Sequence, residues 1–223
     1  MLLALVTGFG LMWLASCGQP SAPSGAADTA RDAQAYMHSS RLDSLIARFE
    51  NPERAEWQKP KDVLQVLGRL DNQIVADIGA GSGYFTFPLA AKAQEVIAID
   101  VDSGFIQHLA ERIQAEEIEN VELRLSAPDS PNLDSAEVDL VFLSNVYHHI
   151  EDRPAYFRHV KRALKEEGRL FIVDFRMGDF PVGPPTRFKV PLETVQAELQ
   201  AAGFSQFEAD TVSLPYQYML AVQ

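Results

Sequence analysis

Three glycines at alternate positions, Gly79, Gly81 and Gly83, follow directly on the run Val75-Ala76-Asp77-Ile78. Glycine permits positive φ and lets the backbone approach a ligand with no Cβ in between. A helix is expected after Gly83, with its first N–H groups turned toward whatever fills the loop. The spacing is G-x-G-x-G, which differs from the G-x-G-x-x-G loop that holds a pyrophosphate. Asp77 stands two positions before the first glycine. A carboxylate there repels a pyrophosphate and attracts an ammonium or sulfonium group. The loop therefore favours a ligand that carries positive charge.

Asp100 ends the next apolar run, Val96-Ile97-Ala98-Ile99, about 20 residues beyond the loop, where a carboxylate can accept from ribose hydroxyls. Asp102 and Ser103 are candidate caps of the following helix. A further run ends in Ser144-Asn145-Val146-Tyr147-His148-His149. Histidine titrates near neutrality, so His148 or His149 is a candidate base for an acceptor that must lose a proton, with Tyr147 beside them. The plainer alternative has one histidine packed and the other in solvent. No metal site is expected, because adjacent helical residues point about 100° apart and no partner pattern is present. Asp174-Phe175-Arg176 also falls at a strand end. The proline-rich stretch 177–185 and the region of Trp57 and Gln58 are candidate walls of an acceptor pocket.

These residues need a scaffold that brings strand ends together. Apolar, β-rich runs are predicted at 74–78, 96–99, 121–125, 140–143 and 170–173. Helical patterns lie between them at 84–93, 104–117 and 154–166. Such alternation implies a parallel sheet covered on both faces. Residues 191–202 read as a helix stopped by Gly203. The runs 204–209 and 216–222 follow with no helix between, which favours an antiparallel pair at one end of the sheet. Upstream, 36–70 reads as helical, with a first run ended by Asn51-Pro52 and a second helix at 61–70 after Pro60.

The stretch from Asp77 to Gly83, together with Asp100, resembles the first two cofactor motifs of class I S-adenosylmethionine-dependent methyltransferases. Val138-Asp139-Leu140-Val141-Phe142 and Leu164-Lys165-Glu166-Glu167-Gly168-Arg169-Leu170 resemble the fourth and fifth strand regions of that family. The subgroup most similar is the broad one that includes ubiquinone/menaquinone-type methyltransferases. The resemblance covers residues 57–223. It implies an α/β, Rossmann-like, doubly wound seven-stranded sheet of order 3-2-1-4-5-7-6, with strand 7 antiparallel and helices on both faces. The implied cofactor is S-adenosylmethionine, and the implied reaction is methyl transfer to a small or lipophilic acceptor. Gly79, Ala80, Gly81 and Gly83 would form the cofactor loop, Asp77 would order it and face the amino group, and Asp100 would hold the ribose. Val101 and Asn145 would complete the contacts. Many relatives have an acidic residue after the third strand, where this chain has Ser126. Ser126, a backbone group or Asp129 would then meet the adenine.

The chain has 223 residues, enough for one domain and a short appendage. Its formal net charge of −12 disfavours a nucleic-acid partner, since little here would neutralise phosphates. Cys17 is the single cysteine and cannot form an intramolecular disulfide. Residues 2–14 are almost wholly apolar and suit a signal-peptide core. Leu14-Ala15-Ser16-Cys17 then resembles a bacterial lipobox, which implies a lipid on Cys17 and a membrane-anchored envelope enzyme. No Lys or Arg precedes Arg31, which departs from a usual signal; without a true signal the chain is expected in the cytoplasm. On this reading 1–17 is the signal, 18–35 a flexible tether rich in Ala, Ser, Pro and Gly, and 36–223 the catalytic domain with a helical cap at 36–70. Two other functions fit less well: a non-catalytic nucleoside-binding module, and a nicotinamide-dependent oxidoreductase, which the loop spacing and Asp77 oppose.

Overall fold

The computed structural model describes residues 42–223. Cys17, the tether and the start of the cap lie outside the described residues.

The chain opens with three short helices, α1 (Leu42–Phe49), α2 (Arg54–Gln58) and α3 (Pro60–Leu67). There follow β1 (Ile74–Ile78), α4 (Thr86–Ala90), β2 (Glu95–Asp100), α5 (Ser103–Ala115), β3 (Val121–Leu125) and β4 (Val138–Ser144). The second half holds α6 (Arg153–Ala163), β5 (Leu164–Phe175), α7 (Leu192–Ala201), β6 (Phe207–Asp210) and β7 (Gln217–Val222). Single 3-10 turns occur at Tyr147–His149 and Thr186–Phe188.

The seven strands form one sheet of order β3-β2-β1-β4-β5-β7-β6. β1 to β5 are mutually parallel, and β7 runs antiparallel between β5 and β6. This is the Rossmann-like topology that the motifs implied. Side chains alternate across a strand, so each strand feeds two layers. Ala76, Ile78, Ile97, Ile99, Val141 and Leu143 pack with Phe157 and Val160 of α6 and Val195 and Leu199 of α7. Val75, Val96, Leu140, Phe142, Phe171 and Val173 pack with Val63, Leu64 and Leu67 of α3 and Leu89 of α4. Burial on both faces explains why the central strands read as unbroken apolar runs.

Some boundaries differ from the sequence expectation. α4 spans only Thr86–Ala90, because turns occupy the residues between Gly83 and Thr86. α6 stops at Ala163, and β5 begins at Leu164, six residues earlier than expected. Val138 pairs with Leu164 but Leu140 pairs with Arg169, so the charged stretch Lys165–Gly168 is accommodated as an irregularity in the ladder. α2 was not separated from its neighbours by any sequence period. Pro60 at the first turn of α3 and Lys59 at φ 44° mark the break.

Candidate functional site

All the parallel strands end on the same edge of the sheet, and ligands in such folds bind there. The glycine loop is docked onto the end of β2. Gly79 and Ala80 both donate to the Ile99 carbonyl, at 2.8 and 3.0 Å. Gly79 has φ +73°, and a Cβ there would sit 2.2 Å from Val146 Cγ2. Gly81 has φ +54° and lies under Phe49. The turn and the close approach to Val146 thus require glycine at Gly79, and at Gly81 the positive φ favours it.

A cavity of about 530 Å³ opens above this loop. Asp77, Gly79, Ala80, Gly81, Asp100 and Val101 line it from β1 and β2, and Asn145, His148 and His149 line it from the end of β4. Phe175, Val182, Pro184 and Phe188 close the side beyond β5, so the proline-rich stretch is a wall. Leu45, Phe49, Arg54 and Trp57 come from α1 and α2 and form the roof. Phe49 stacks on Phe105 of α5 at 5.8 Å, and Trp57 lies 5.6 Å from Phe175. The roof therefore spans the cavity from the β2 end to the β5 end.

Both expected carboxylates converge here. Asp77 is 2 % exposed and accepts from the Thr86 hydroxyl at 2.6 Å. Burial pushes its carboxyl up to about 7, against the pull of the Thr86 hydrogen bond; Asp100 adds to the rise and Arg54 opposes it. Asp100 accepts from Gly81 N at 2.8 Å and from Asp102 N at 3.0 Å. Burial raises its carboxyl as well, and those two backbone donors hold it back. Asp102 caps α5 by accepting from Gly104 N at 2.8 Å.

Arg54 is a site residue that the sequence did not reveal. Its guanidinium lies 3.8 Å from the centre of the Tyr84 ring, donates to Gln58 Oε1 at 2.9 Å and to the Phe49 carbonyl at 2.9 Å. Burial lowers it to about 10, which leaves it cationic at neutral pH. The same network ties roof to floor. Gln58 donates to Ser144 Oγ at 2.8 Å, Asn145 Nδ2 donates to Gln58 Oε1 at 3.3 Å, and Gln217 of β7 donates to Asn145 Oδ1. Asn145 has φ +62°, a conformation asparagine tolerates better than most residues. It lines the cavity, but both ends of its amide are engaged by protein, so its part is to join Gln58 to Gln217.

His148 and His149 stack 4.2 Å apart. His148 is buried, and its Nδ1 lies 3.0 and 3.1 Å from the two oxygens of Asp174. Asp174 also accepts from Phe175 N at 2.7 Å. An accepting carboxylate fixes the hydrogen on Nδ1, which leaves Nε2 with the lone pair.

Two expected site residues are elsewhere. Tyr147 does not line the cavity. It is fully buried, stacks on Phe157 at 5.0 Å and donates to Glu198 at 2.7 Å. In a 3-10 turn successive side chains point about 120° apart, so Tyr147 enters the core where His148 enters the cavity. Gly83 does not line it either. A Cβ there would meet Phe87 at 2.3 Å and Leu109 at 2.8 Å, so its role is the packing of α4 and α5. Ser126 lines a neighbouring cavity of about 70 Å³ with Val101, Pro128, Val146, His149 and Tyr156. That cavity shares Gly79, Asp100 and Val101 with the larger one. Asp129 lines neither.

Residues 76–170 match the family model described as a methyltransferase domain. An uncharacterized methyltransferase of Bacillus subtilis, YcgJ, is 29 % identical over 108 residues, 48 % of this chain and 43 % of that protein. Phosphoethanolamine N-methyltransferase 1 of Triticum aestivum is 29 % identical over 140 residues, 61 % of this chain and 27 % of that protein. The chain thus spans less than half the length of these two relatives. Among solved structures, a SAM-dependent methyltransferase from Aquifex aeolicus superposes with a TM-score of 0.75 at 24 % identity, covering 82 % of this chain and 98 % of that one. At that identity the likeness is one of fold. The matched model is that of a methyltransferase domain, and the fold is the one seen in solved S-adenosylmethionine-dependent methyltransferases.

Proposed function

We propose that this chain is a methyltransferase that uses S-adenosylmethionine and acts on a small or lipophilic acceptor. The observation that carries the reading is the convergence of Asp77 and Asp100 on one cavity, with a loop between them that has no room for a side chain at Gly79. S-adenosylmethionine supplies a methyl group made electrophilic by a cationic sulfur.

Its amino-acid end is a zwitterion, and the site offers both counter-charges. Asp77 opposes the ammonium group, and Arg54, beside it, opposes the carboxylate. Asp100 accepts two backbone N–H groups and, with about four lone-pair sites on a carboxylate, keeps capacity for ribose hydroxyls. The small cavity at Ser126, walled by Val101, Val146 and Tyr156, suits a flat base. The remaining space, at the ends of β4 and β5, is left for the acceptor. There the residues of this chain orient the nucleophile and exclude water, and orientation alone lowers such a barrier by several kcal/mol, roughly 7 or more in good cases.

Calorimetry with S-adenosylmethionine and S-adenosylhomocysteine tests the reading. Both are expected to bind, and Asp100→Ala is expected to weaken both by about 10-fold or more, the loss of one or more charge-assisted hydrogen bonds. No binding at millimolar ligand sinks it. Stabilisation by NADH alone would assign the cavity to hydride chemistry instead.

A further inference from the structure

Five large apolar side chains stand well exposed among the described residues: Val66, Val101, Leu125, Met177 and Val212. Four of them lie on the edge of the sheet where the cavity opens. Val101 follows β2, Leu125 closes β3, and Met177 follows β5. Val212 lies in the turn from β6 to β7, and β7 starts beside the end of β5, where Gln217 pairs with Phe175. Met177 is 47 % exposed and Val212 87 %. Large apolar groups gathered in one region of a surface mark contact with a partner or a membrane.

Met177 and Val212 belong to adjoining loops. Arg176 N donates to the Tyr216 carbonyl at 3.0 Å, and the Arg176 guanidinium donates to the Pro215 carbonyl. Phe180 and Tyr216, both half-buried, lie ring to ring at 5.3 Å, and Pro181 and Pro215 beside them are exposed. Lys59 reaches across from the roof and donates to the Ser213 carbonyl at 2.9 Å. The first loop is held at its neck: the Gly178 carbonyl accepts from Thr186 Oγ at 2.9 Å and from Lys189 Nζ at 2.6 Å. The charge of this face is opposite to that of the chain. Residues 176–190 and 211–217 carry Arg176, Arg187 and Lys189 against Asp179 alone, whereas the formal net charge of the whole chain is −12. Pro181, Val182 and Pro184 of the same segment line the cavity, so one strip of chain separates the acceptor space from the exposed face.

We infer that this face seats the protein on a bilayer that carries anionic headgroups, with the cavity mouth turned toward the lipid. Apolar and aromatic groups bordered by Lys and Arg are the composition that settles at a membrane interface, and each cation near an anionic surface adds to the attraction. Among the described residues no helix is long and apolar enough to cross a membrane, and the proposed contact is with the surface. The apolar stretch 2–14 precedes α1, whose Leu45 and Phe49 roof the cavity, so attachment there would tether the chain from the cavity side. A lipid-soluble acceptor would then pass from the bilayer over Pro181 and Val182 into the cavity without crossing water. The inference rests on the lipophilic side of the acceptor reading above.

A polarity-sensitive dye placed on the face of the full chain tests this. Cys17→Ser removes the single cysteine, and with it the lipid attachment site, so a new cysteine takes the label alone. Met177→Cys and Val212→Cys put the dye on the face, and Val66→Cys puts it on α3 as a control at an equally open position. On vesicles of phosphatidylglycerol and phosphatidylcholine in equal parts, the labels at 177 and 212 are expected to shift to the blue and brighten, while the label at 66 stays unchanged. The stretch 2–14 can hold the chain to a vesicle but cannot by itself bury a dye at residue 212. The contact is weak and reversible: raised salt, phosphatidylcholine vesicles alone, or Arg187→Ala are each expected to diminish the shift. No shift at 177 and 212 would overturn the proposal, and so would an equal shift at 66, which marks indiscriminate adsorption. A shift undiminished on phosphatidylcholine alone would refute the anionic surface. A shift produced by raising protein concentration without vesicles would give the face to a second copy of the chain. None of these measurements uses the methyl donor, so the calorimetry above can succeed or fail independently.

Discussion

Replacing Asp77 by Asn should make the unliganded protein more stable and, at the same time, blind to its methyl donor. The carboxyl is buried and holds its proton up to about pH 7, whereas a solvated aspartate ionises at 3.8. Between those values the native state binds more protons than the unfolded state, so unfolding free energy falls as pH rises. Each pH unit is worth about 1.4 kcal/mol, which gives roughly 4 kcal/mol in all, of which about 3 falls between pH 5 and pH 8. Asparagine keeps the volume and can still meet the Thr86 hydroxyl, without a charge to bury. Loss of a counter-charge for Arg54 works the other way, but Arg54 is the weakest of the influences on that carboxyl. Thermal unfolding of both proteins at pH 5 and pH 8 checks this. At 2–4 °C per kcal/mol for a chain of this size, Asp77→Asn should gain up to about 10 °C more at pH 8 than at pH 5. A stability difference that stays flat between the two pH values, or a variant less stable at pH 8, would show that Asp77 is ionised without penalty and that the reasoning fails.

The Gly79→Ala variant places a methyl group 2.2 Å from Val146 Cγ2 at φ +73°, so urea denaturation should show a loss of about 2 kcal/mol or more, with Val146→Ala recovering only the steric part. Tyr147→Phe should leave donor affinity and turnover intact while costing about 1–2 kcal/mol in the same assay, since it removes only the bond to Glu198. If instead turnover falls with stability unchanged, Tyr147 acts in the site after all. Expressed in a bacterium, the full chain should take up labelled fatty acid and fractionate with membranes, and Cys17→Ser should abolish both; unchanged fractionation would reject the lipobox.

The sheet was legible because its central strands are buried on both faces, so Val75, Ile97, Val141 and Ile172 stand in uninterrupted apolar runs. The two carboxylates were legible because they sit at strand ends next to a glycine pattern. Arg54 was not, because its burial is created by α1 and α2 folding back over the loop, and no local periodicity records that. Gly83 was misassigned because a glycine that admits a ligand and a glycine that admits Phe87 look alike in sequence. Tyr147 was misassigned because neighbours in a 3-10 turn share a strand end but not a direction. The late start assigned to β5 has a similar origin: Lys165-Glu166-Glu167-Gly168 reads as a helix end, while the ladder absorbs it.

β7 follows β6 in the chain but lies inside it in the sheet, paired with β5 on one side and β6 on the other. The edge of β5 is therefore covered only by a strand that comes after β6 in the chain, and β6 joins the sheet through β7 alone. Gln217, the first residue of β7, then delivers the hydrogen bond that locks Asn145. The strand that comes last of the seven therefore completes the floor beneath the end of β4, and the glycine loop and both aspartates precede it in the chain.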